Sequence, residues 1–523
     1  MISFQNTIAM LFSNLYPLTF ILSLAALTGW FYYRDNEQRS GFFRKLFLGS
    51  IASFGICWLF GEGTFAYKLP VLLRELVILA IVPLVLSLFR KVGWVYFALM
   101  AAALIALRYF YFDQLRATFP QRTEVKEVGK SDLDPDGELL IEIRDLRIIS
   151  EIQGVLDEFG LKATPAFVME DKNATDLDDY YLINVPPAYE KDLDKVKKAL
   201  DATGLVEWLE ENERISLSPE ETTPMRPLPG LNKKYGLNDP GLENLWGFEE
   251  MKVADLYEVL KNAKPKKEAL IAILDTGVDA GHEDLKDNFT STQTAYDTDK
   301  AGHGTHCAGI AAAVSNNGKG VASFSQTNEY VQVTSIKVLS DGGFGSQQSI
   351  INGILEAADK GADVLSLSLG GLSNDSRQRA YKKAVDYVNR KGAIMVVAAG
   401  NSNRSAREFV PANVEGVIAV SAVDTLLSRA SFSNFVQDLK MGVSAPGVKI
   451  YSTFPGSQYQ TFNGTSMATP YVSGLVGLMK SLKPDLTTKE AFEVLNKSGA
   501  ETRNTKETGK LIQPAEAVRQ LLK

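Results

Sequence analysis

The sequence predicts an α/β protein: a large parallel sheet with helices on both faces, preceded by a small α+β domain and an all-α transmembrane region. Three observations lead there. The first 112 residues hold four apolar runs separated by short polar loops. Residues 138–217 alternate strand-like and helix-like patterns in the order β-α-β-β-α-β. Beyond about residue 236, short continuous apolar strands alternate with helical stretches, the pattern of a parallel sheet buried on both faces. At 523 residues the chain exceeds one ordinary domain. The expected division is 1–113 for the membrane region, 137–218 for the small domain and 236–523 for the large one.

The apolar runs lie at about 15–33, 46–60, 70–89 and 92–112. A helix spans a bilayer with about 20 mostly apolar residues, so three runs qualify and the second is marginal. Core helices of a soluble domain would keep a polar face, which these lack. A cleaved signal peptide is disfavoured by the absence of a basic start and of a small-residue cleavage site. Arg34, Arg39, Arg44 and Lys45 follow the first run, Arg90 and Lys91 the third, and the other short loop has only Lys68. Basic loops stay cytoplasmic. Both chain ends are therefore expected outside a cell membrane crossed several times, with the bilayer as a partner and everything after residue 113 extracytoplasmic. Arg74 and Glu75 are the charged pair within the runs, expected near a helix end where they snorkel.

The net charge of −7 is unevenly spread: residues 131–220 carry 23 acidic and 9 basic side chains. No basic patch with interleaved aromatics occurs, which argues against nucleic acid as a partner. The two cysteines, Cys57 and Cys307, do not make a disulfide framework. Only His282, His303 and His306 are available as an imidazole base.

A Pro/Gly/Asp-rich linker, 132–137, opens the small domain. Strands are expected at Glu138–Arg144, Ala163–Val168, Tyr180–Val185 and Val206–Leu217, with helices at Ile148–Phe159 and Tyr189–Leu200. This is the split βαβ, ferredoxin-like order. Residues 218–245 form a Pro- and Gly-rich connector. Strands then follow at Ala269–Leu274, Val333–Leu339, Asp363–Leu369, Ala393–Ala398 and Val417–Val423, with helices at 303–314, 347–360 and 377–391.

Sites in such sheets form beyond the carboxyl ends of the strands, and chemistry-bearing residues stand there. Asp275-Thr276-Gly277 ends the first strand. It also suggests an aspartic protease, but that mechanism needs two carboxylates sharing a proton, and no second Asp-Thr/Ser-Gly exists. His303 opens the next helix within Gly302-His303-Gly304-Thr305-His306-Cys307, where it can take a proton while Asp275 holds its other nitrogen. Metal binding by His303, His306 and Cys307 is the rival, weakened because adjacent helical residues point apart. Ala398-Ala399-Gly400-Asn401 ends another strand, placing a carboxamide N–H at the site. Asn463-Gly464-Thr465-Ser466 leads into an apolar helix, whose N-terminal N–H groups and dipole favour a nearby oxyanion.

Asp, His, Asn and Ser in this order, each at a strand or helix end, make the chain resemble the subtilisin-like serine proteases from about Asn238 to Leu482. The resemblance implies a subtilisin-like fold and a serine endopeptidase acting on proteins or peptides, with no cofactor required for the chemistry. It implies Asp275, His303 and Ser466 as the triad and Asn401 as the oxyanion donor. It implies Ser368-Leu369-Gly370 and Gly343-Phe344-Gly345 as the edges between which a substrate is held as an added strand, with Ala398-Ala399-Gly400 beside the scissile bond. The loop 315–321 is similar to the family's calcium loop, with Asp284 and Asn317 as ligands of a structural calcium, although Lys319 replaces an apolar residue there. Tyr471 stands where many members have histidine, and Cys307 matches the thiol-bearing branch. The 137–217 segment resembles the family's propeptide, a folding chaperone and inhibitor. The chain's own propeptide-like domain is thus an expected partner, and self-processing is expected in the connector, roughly Ser216–Tyr235.

Overall fold

The computed structural model describes residues 2–60, 65–106, 133–144, 148–189, 192–217, 220–223 and 227–523. The chain divides into two compact units, Met1–Glu127 and Val128–Lys523.

In the first unit, helices run over Ile2–Tyr32, Glu37–Phe60, Phe65–Ser87 and Gly93–Ala106. Tyr16, Phe20, Leu24, Phe54, Cys57 and Leu79 form its core. The marginal second run turns out differently from the expectation. Its helix starts nine residues earlier, at Glu37, so Arg39, Arg44 and Lys45 are helical, and the extended helix Glu37–Phe60 is long and apolar enough to cross a membrane. It is the one such helix among the described residues; Leu18–Tyr32 and Gly93–Ala102 are shorter apolar stretches. The expected span from 92 to 112 runs past Ala106 into residues outside the described set, as does Gly61–Gly63. Glu75 also departs from the expectation: it is fully buried, eleven residues into its helix, and accepts a hydrogen bond from the Tyr16 hydroxyl. A hydroxyl donor inside the bundle replaces the water that a snorkelling carboxylate would seek.

The second unit begins with a four-stranded antiparallel sheet in the order Lys162–Pro165, Tyr180–Asn184, Leu139–Ile143, Val206–Glu211. Leu139–Ile143 is buried along its whole length because its two faces pack on different things. Leu139, Ile141 and Ile143 join Leu156, Phe159, Val196 and Leu200 of the helices Gln153–Phe159 and Leu193–Ala202. On the other face Leu140 and Tyr180, with Phe167, join the core around the helices Gln347–Asp359 and Asp375–Arg390. The acidic excess of this segment is used there. Glu142 pairs with Arg379 (3.1 Å) and Lys383 (2.6 Å), Glu207 with Arg379 (2.7 Å), and Glu213 with Arg377. Two expected strands are shorter. Ala163–Val168 stops at Pro165, because the Ala166 carbonyl accepts from Gln348 Nε2 and Asn352 Nδ2, both at 2.9 Å. Val206–Leu217 breaks after Glu211, and Arg214–Ser216 leaves the sheet to pair with another strand.

The large sheet has seven parallel strands in the order Lys510–Leu511, Gly442–Pro446, Val417–Val423, Ile394–Ala398, Val364–Leu367, Ala269–Asp275, Val331–Lys337. Alternate residues feed two cores. Ile271 and Ile273 face the helices His303–Ala312 and Thr465–Leu482, while Ala272 and Leu274 face Gln347–Asp359 and Asp375–Arg390. Two strands had no clear apolar signature. Gly442–Pro446 is short and carries a serine, and Lys510–Leu511 has two residues.

Candidate active site

Ala269–Asp275 delivers Asp275 to the sheet's carboxyl edge, and His303 opens the helix that packs beside it. Gly304 permits that approach, since a Cβ there would lie 2.0 Å from the Gly277 carbonyl oxygen. Both side chains are buried, Asp275 fully and His303 to 2% exposure. His303 Nδ1 lies 2.8 Å from each Asp275 oxygen, and the Thr276 N–H donates to Asp275 Oδ1 at 2.7 Å. Burial alone would lower the His303 pKa, but the Asp275 carboxylate beside it holds the value well above 6.5. A residue that the sequence reading missed anchors this corner. Asp299 accepts from the N–H groups of Gly302 (2.8 Å) and Thr305 (2.9 Å) at the start of the histidine helix, and from the Thr276 hydroxyl (2.9 Å). An Asp four residues before His303, where N–H groups lack partners, was the available signal.

Ser466 is the second residue of the helix Thr465–Leu482. Its Oγ donates to the Ser368 carbonyl at 3.1 Å, and the Ser368 hydroxyl donates to the Ser466 carbonyl at 2.9 Å. The Cys307 sulfur links the two halves, lying 3.5 Å from the Ser466 carbonyl and 4.0 Å from His303 Nδ1. Asn401 Oδ1 accepts from the Thr465 N–H (2.9 Å) and hydroxyl (2.8 Å). That spends the carbonyl side of the amide and turns Nδ2 toward Gly464, 3.6 Å from where a Gly464 Cβ would stand. Gly400 precedes it at φ +101°, a conformation open to glycine. Ala398 and Ala399 are buried at the strand end, and the Asn434 amide, also missed from sequence, donates to the Ala399 carbonyl at 2.8 Å. A buried Asp–His couple, a serine in the first turn of a helix and an oriented carboxamide together supply what nucleophilic acyl transfer needs.

The rival metal set does not assemble. His306 Nε2 lies 3.1 Å from the Gln460 carbonyl, its ring packs at a tilt against Phe462 with centroids 4.5 Å apart, and burial pushes its pKa down to about 3. Asp275, His303 and Cys307 do bring ligand atoms within 4.8 Å of one another, but His303 Nδ1 is already engaged by Asp275.

The Subtilase family profile matches residues 266–511. Thermitase of Thermoactinomyces vulgaris is 39% identical over 253 residues, covering 47% of this chain and 86% of that protein. Subtilisin DY of Bacillus licheniformis is 40% identical over 257 residues, 48% of this chain and 90% of that one. A thermophilic serine proteinase of Bacillus sp. strain AK1 is 34% identical over 352 residues, 66% of this chain and 78% of its own length. This chain belongs to the subtilase family. It is a serine endopeptidase with the subtilisin-like α/β fold, acting on protein or peptide substrates.

Subtilases generally need no cofactor for catalysis and often bind structural calcium, so the expected ligands Asp284 and Asn317 need a test of fit. They do come together, but Asn317 Nδ2 donates to Asp284 Oδ1 and the Val321 N–H to Asp284 Oδ2, both at 2.8 Å. Asn317 Oδ1 accepts from the Lys319 N–H (2.8 Å), and the Lys319 ammonium lies 3.3 Å from Glu283. Calcium requires six to eight oxygen ligands, whereas here all three side-chain oxygens face N–H donors and a lysine supplies the local positive charge. Burial also pushes the Asp284 carboxyl up to about 7. In this arrangement the oxygens of Asp284 and Asn317 are committed to N–H donors and do not fit a calcium ion.

Of the two segments expected as substrate edges, one is already paired within the chain. Arg214–Ser216 runs antiparallel to Phe344–Ser346, with Ile215 opposite Gly345 and Ser216 opposite Phe344. The Leu217 N–H donates to the Gly343 carbonyl at 2.9 Å. Ile215 reaches across to the other edge, where a Cβ on Gly371 would touch it at 3.3 Å. Leu369 is buried, and Gly370 packs so closely that a Cβ would lie 2.8 Å from the Val410 carbonyl oxygen.

Proposed function

We propose that this subtilase is a membrane-tethered endopeptidase in which Ser466 is the nucleophile, His303 the base and then the acid, Asp275 the group that orients it, and Asn401 the oxyanion donor. Ser466 Oγ bonds to the substrate carbonyl carbon as His303 takes its proton, the amine leaves with that proton, and water hydrolyses the ester. The observation that carries this reading is the buried Asp275–His303 couple at 2.8 Å, facing a serine helix on the far side of Cys307. Substrate lies as an added strand between Gly343-Phe344-Gly345 and Ser368-Leu369-Gly370, with Ala398-Ala399-Gly400 beside the scissile bond.

The tether is supported by where apolar surface is left open. Of the twenty-five exposed large hydrophobic side chains among the described residues, twenty lie before residue 100, far more than an aqueous surface tolerates. Arg90 pairs with Asp35, which sets the two basic loops at one end of the helix bundle. On the basic-inside rule the catalytic unit is extracytoplasmic. The 137–218 segment acts as an internal propeptide-like inhibitor and chaperone, docked through Glu142, Glu207 and Glu213, and the connector is where self-processing occurs.

Immunoblotting of wild type beside Ser466→Ala tests this reading. A catalytic fragment lacking residues 1 to about 225 is expected in wild type and not in the variant. Full-length protein in both would refute self-processing, and peptide hydrolysis by purified Ser466→Ala would refute the triad.

A further inference from the structure

Two neighbouring strands of the large sheet part beside the catalytic serine. Val364–Leu367 and Ile394–Ala398 run in register as far as Leu367 opposite Val397. The chains then continue as Ser368-Leu369-Gly370 and Ala399-Gly400-Asn401, and the serine helix starts between them. Ser466 Oγ donates to the Ser368 carbonyl at 3.1 Å, and the Thr465 N–H to Asn401 Oδ1 at 2.9 Å. At the far end the gap is closed by a second pairing, Gly371–Leu372 against Phe409–Val410, with Leu372 opposite Phe409. The walls of this slot are main chain. Gly370 and Gly371 on one side and Gly400 on the other have no side chain, and Ala399 is fully buried. Asn434 holds the Gly400 wall from behind: its N–H donates to the Gly400 carbonyl and its amide to the Ala399 carbonyl, both at 2.8 Å.

Glycine walls would admit a large side chain, but the slot is already occupied. The Phe409 ring reaches Gly400, with Cδ1 3.8 Å from where a Cβ on Gly400 would stand. Phe409 is half-buried, yet it packs against neither of the two cores beside the large sheet. Its apolar surface is covered by the slot instead. The backbone that carries the ring is fixed on both sides, since the Glu408 carbonyl accepts from the Ser373 N–H (2.8 Å) and the Phe409 carbonyl from the Asn413 N–H (2.9 Å). We infer that Phe409 is a specificity-determining residue: it fills the space for the side chain of the residue whose carbonyl Ser466 attacks, and limits this subtilase to cutting after Gly, Ala or Ser. This role rests on the proposed triad and on substrate lying beside Ala398-Ala399-Gly400, and it names the substrate class of that same site. A residue whose carbonyl is held by Asn401 has its side chain next to Gly400, where an isobutyl or benzyl group would overlap the Phe409 ring. Close-packed side chains do not yield such volume cheaply, and a misfit of one methylene in an apolar pocket already discriminates by about 10–200-fold.

Small aminoalkyl diphenyl phosphonates test this on the full-length chain in detergent. Ser466 Oγ bonds to their phosphorus as phenoxide leaves, and a methyl, isobutyl or benzyl group on the adjacent carbon stands for the substrate side chain. Labelling rates are followed by intact mass. Wild type is expected to react with the methyl probe at least about tenfold faster than with the benzyl probe, and Phe409→Ala to raise the benzyl-to-methyl ratio at least about tenfold. Phe409→Leu, which keeps a branched apolar side chain in the slot, should give a ratio between the two and serves alone if Phe409→Ala does not fold. The ratio is the readout because a variant that merely loosened the domain would slow every probe together. A ratio near one in wild type, or one unmoved in the folded variants, would overturn the role of Phe409. So would a wild type that takes a fluorophosphonate, which has no such side chain, but not the methyl probe. The same fluorophosphonate separates this role from the triad. If it fails to label wild type, or labels Ser466→Ala equally, the triad reading falls and the role of Phe409 with it. If it labels wild type at Ser466 while the ratio stays put, only the role of Phe409 falls.

Discussion

His303 Nδ1 lies 2.8 Å from each oxygen of the Asp275 carboxylate, and this relationship sets both the tautomer and the charge of the imidazole. The carboxylate outweighs the desolvation that would otherwise lower the ring's pKa, and holds it well above 6.5. In the proposed mechanism His303 works as a base only when neutral, so activity should climb as pH rises through that raised value. Asp275→Asn removes the charge but keeps the shape. The acid limb of kcat should then move to lower pH, while kcat at its plateau falls by about 10⁴-fold because the ring loses its orienting acceptor. A pH profile with an unmoved limb would show that Asp275 does not control His303.

Asn401 is held by its carbonyl side through Thr465, which leaves the NH₂ side for the oxyanion of the proposed mechanism. Asn401→Leu keeps the volume and loses the donor. Turnover should fall about 10²–10³-fold with KM nearly unchanged. Loss mainly in KM would assign Asn401 to binding.

Glu210 tests how the acidic segment docks. It is 7% exposed, accepts from Gln347 Nε2 at 3.0 Å, and keeps a buried second oxygen without a partner. Burial pushes its pKa up to about 7, with Arg377 and Gln347 pulling down and Glu142 and Glu213 pushing up. A value raised above the unfolded 4.5 means that stability present below pH 4.5 is lost as pH rises through 7. Glu210→Gln in an uncut Ser466→Ala background should flatten the dependence of Tm on pH between 5 and 8. It should also be the more stable protein at pH 8, by roughly 3 kcal/mol at most. Parallel Tm curves for the two proteins would contradict this.

The loop around Asp284 is closed by its own N–H donors and by Lys319. Melting curves in excess calcium and in chelator should therefore coincide. An upward shift in calcium would show that the ion displaces those donors.

The sequence by itself determined the family chemistry, because the reaction needs particular residue types at strand and helix ends and few residues can substitute. Asp275, His303, Asn401 and Ser466 were legible for that reason, as was the buried parallel sheet, whose strands are continuous apolar runs. Tertiary structure alone decided what holds these groups. Asn434 acts through hydrogen bonds to the Ala399 carbonyl and the Ser402 N–H, backbone distant in sequence, so no local pattern marks it, whereas Asp299 caps N–H groups close by and its position before His303 was its one signal. Residue identity alone suggested calcium at Asp284 and Asn317, whereas coordination depends on where each oxygen points, and here they point at N–H donors. The short strands Gly442–Pro446 and Lys510–Leu511 exist because neighbours offer them a ladder, not because their residues favour one. Most of all, the Pro-rich connector reads as loop from composition, and only pairing with Phe462–Asn463 makes Glu220–Glu221 a strand. Extended backbone without side-chain periodicity carries no signal of its partner, since that partner is supplied by residues more than one hundred positions away.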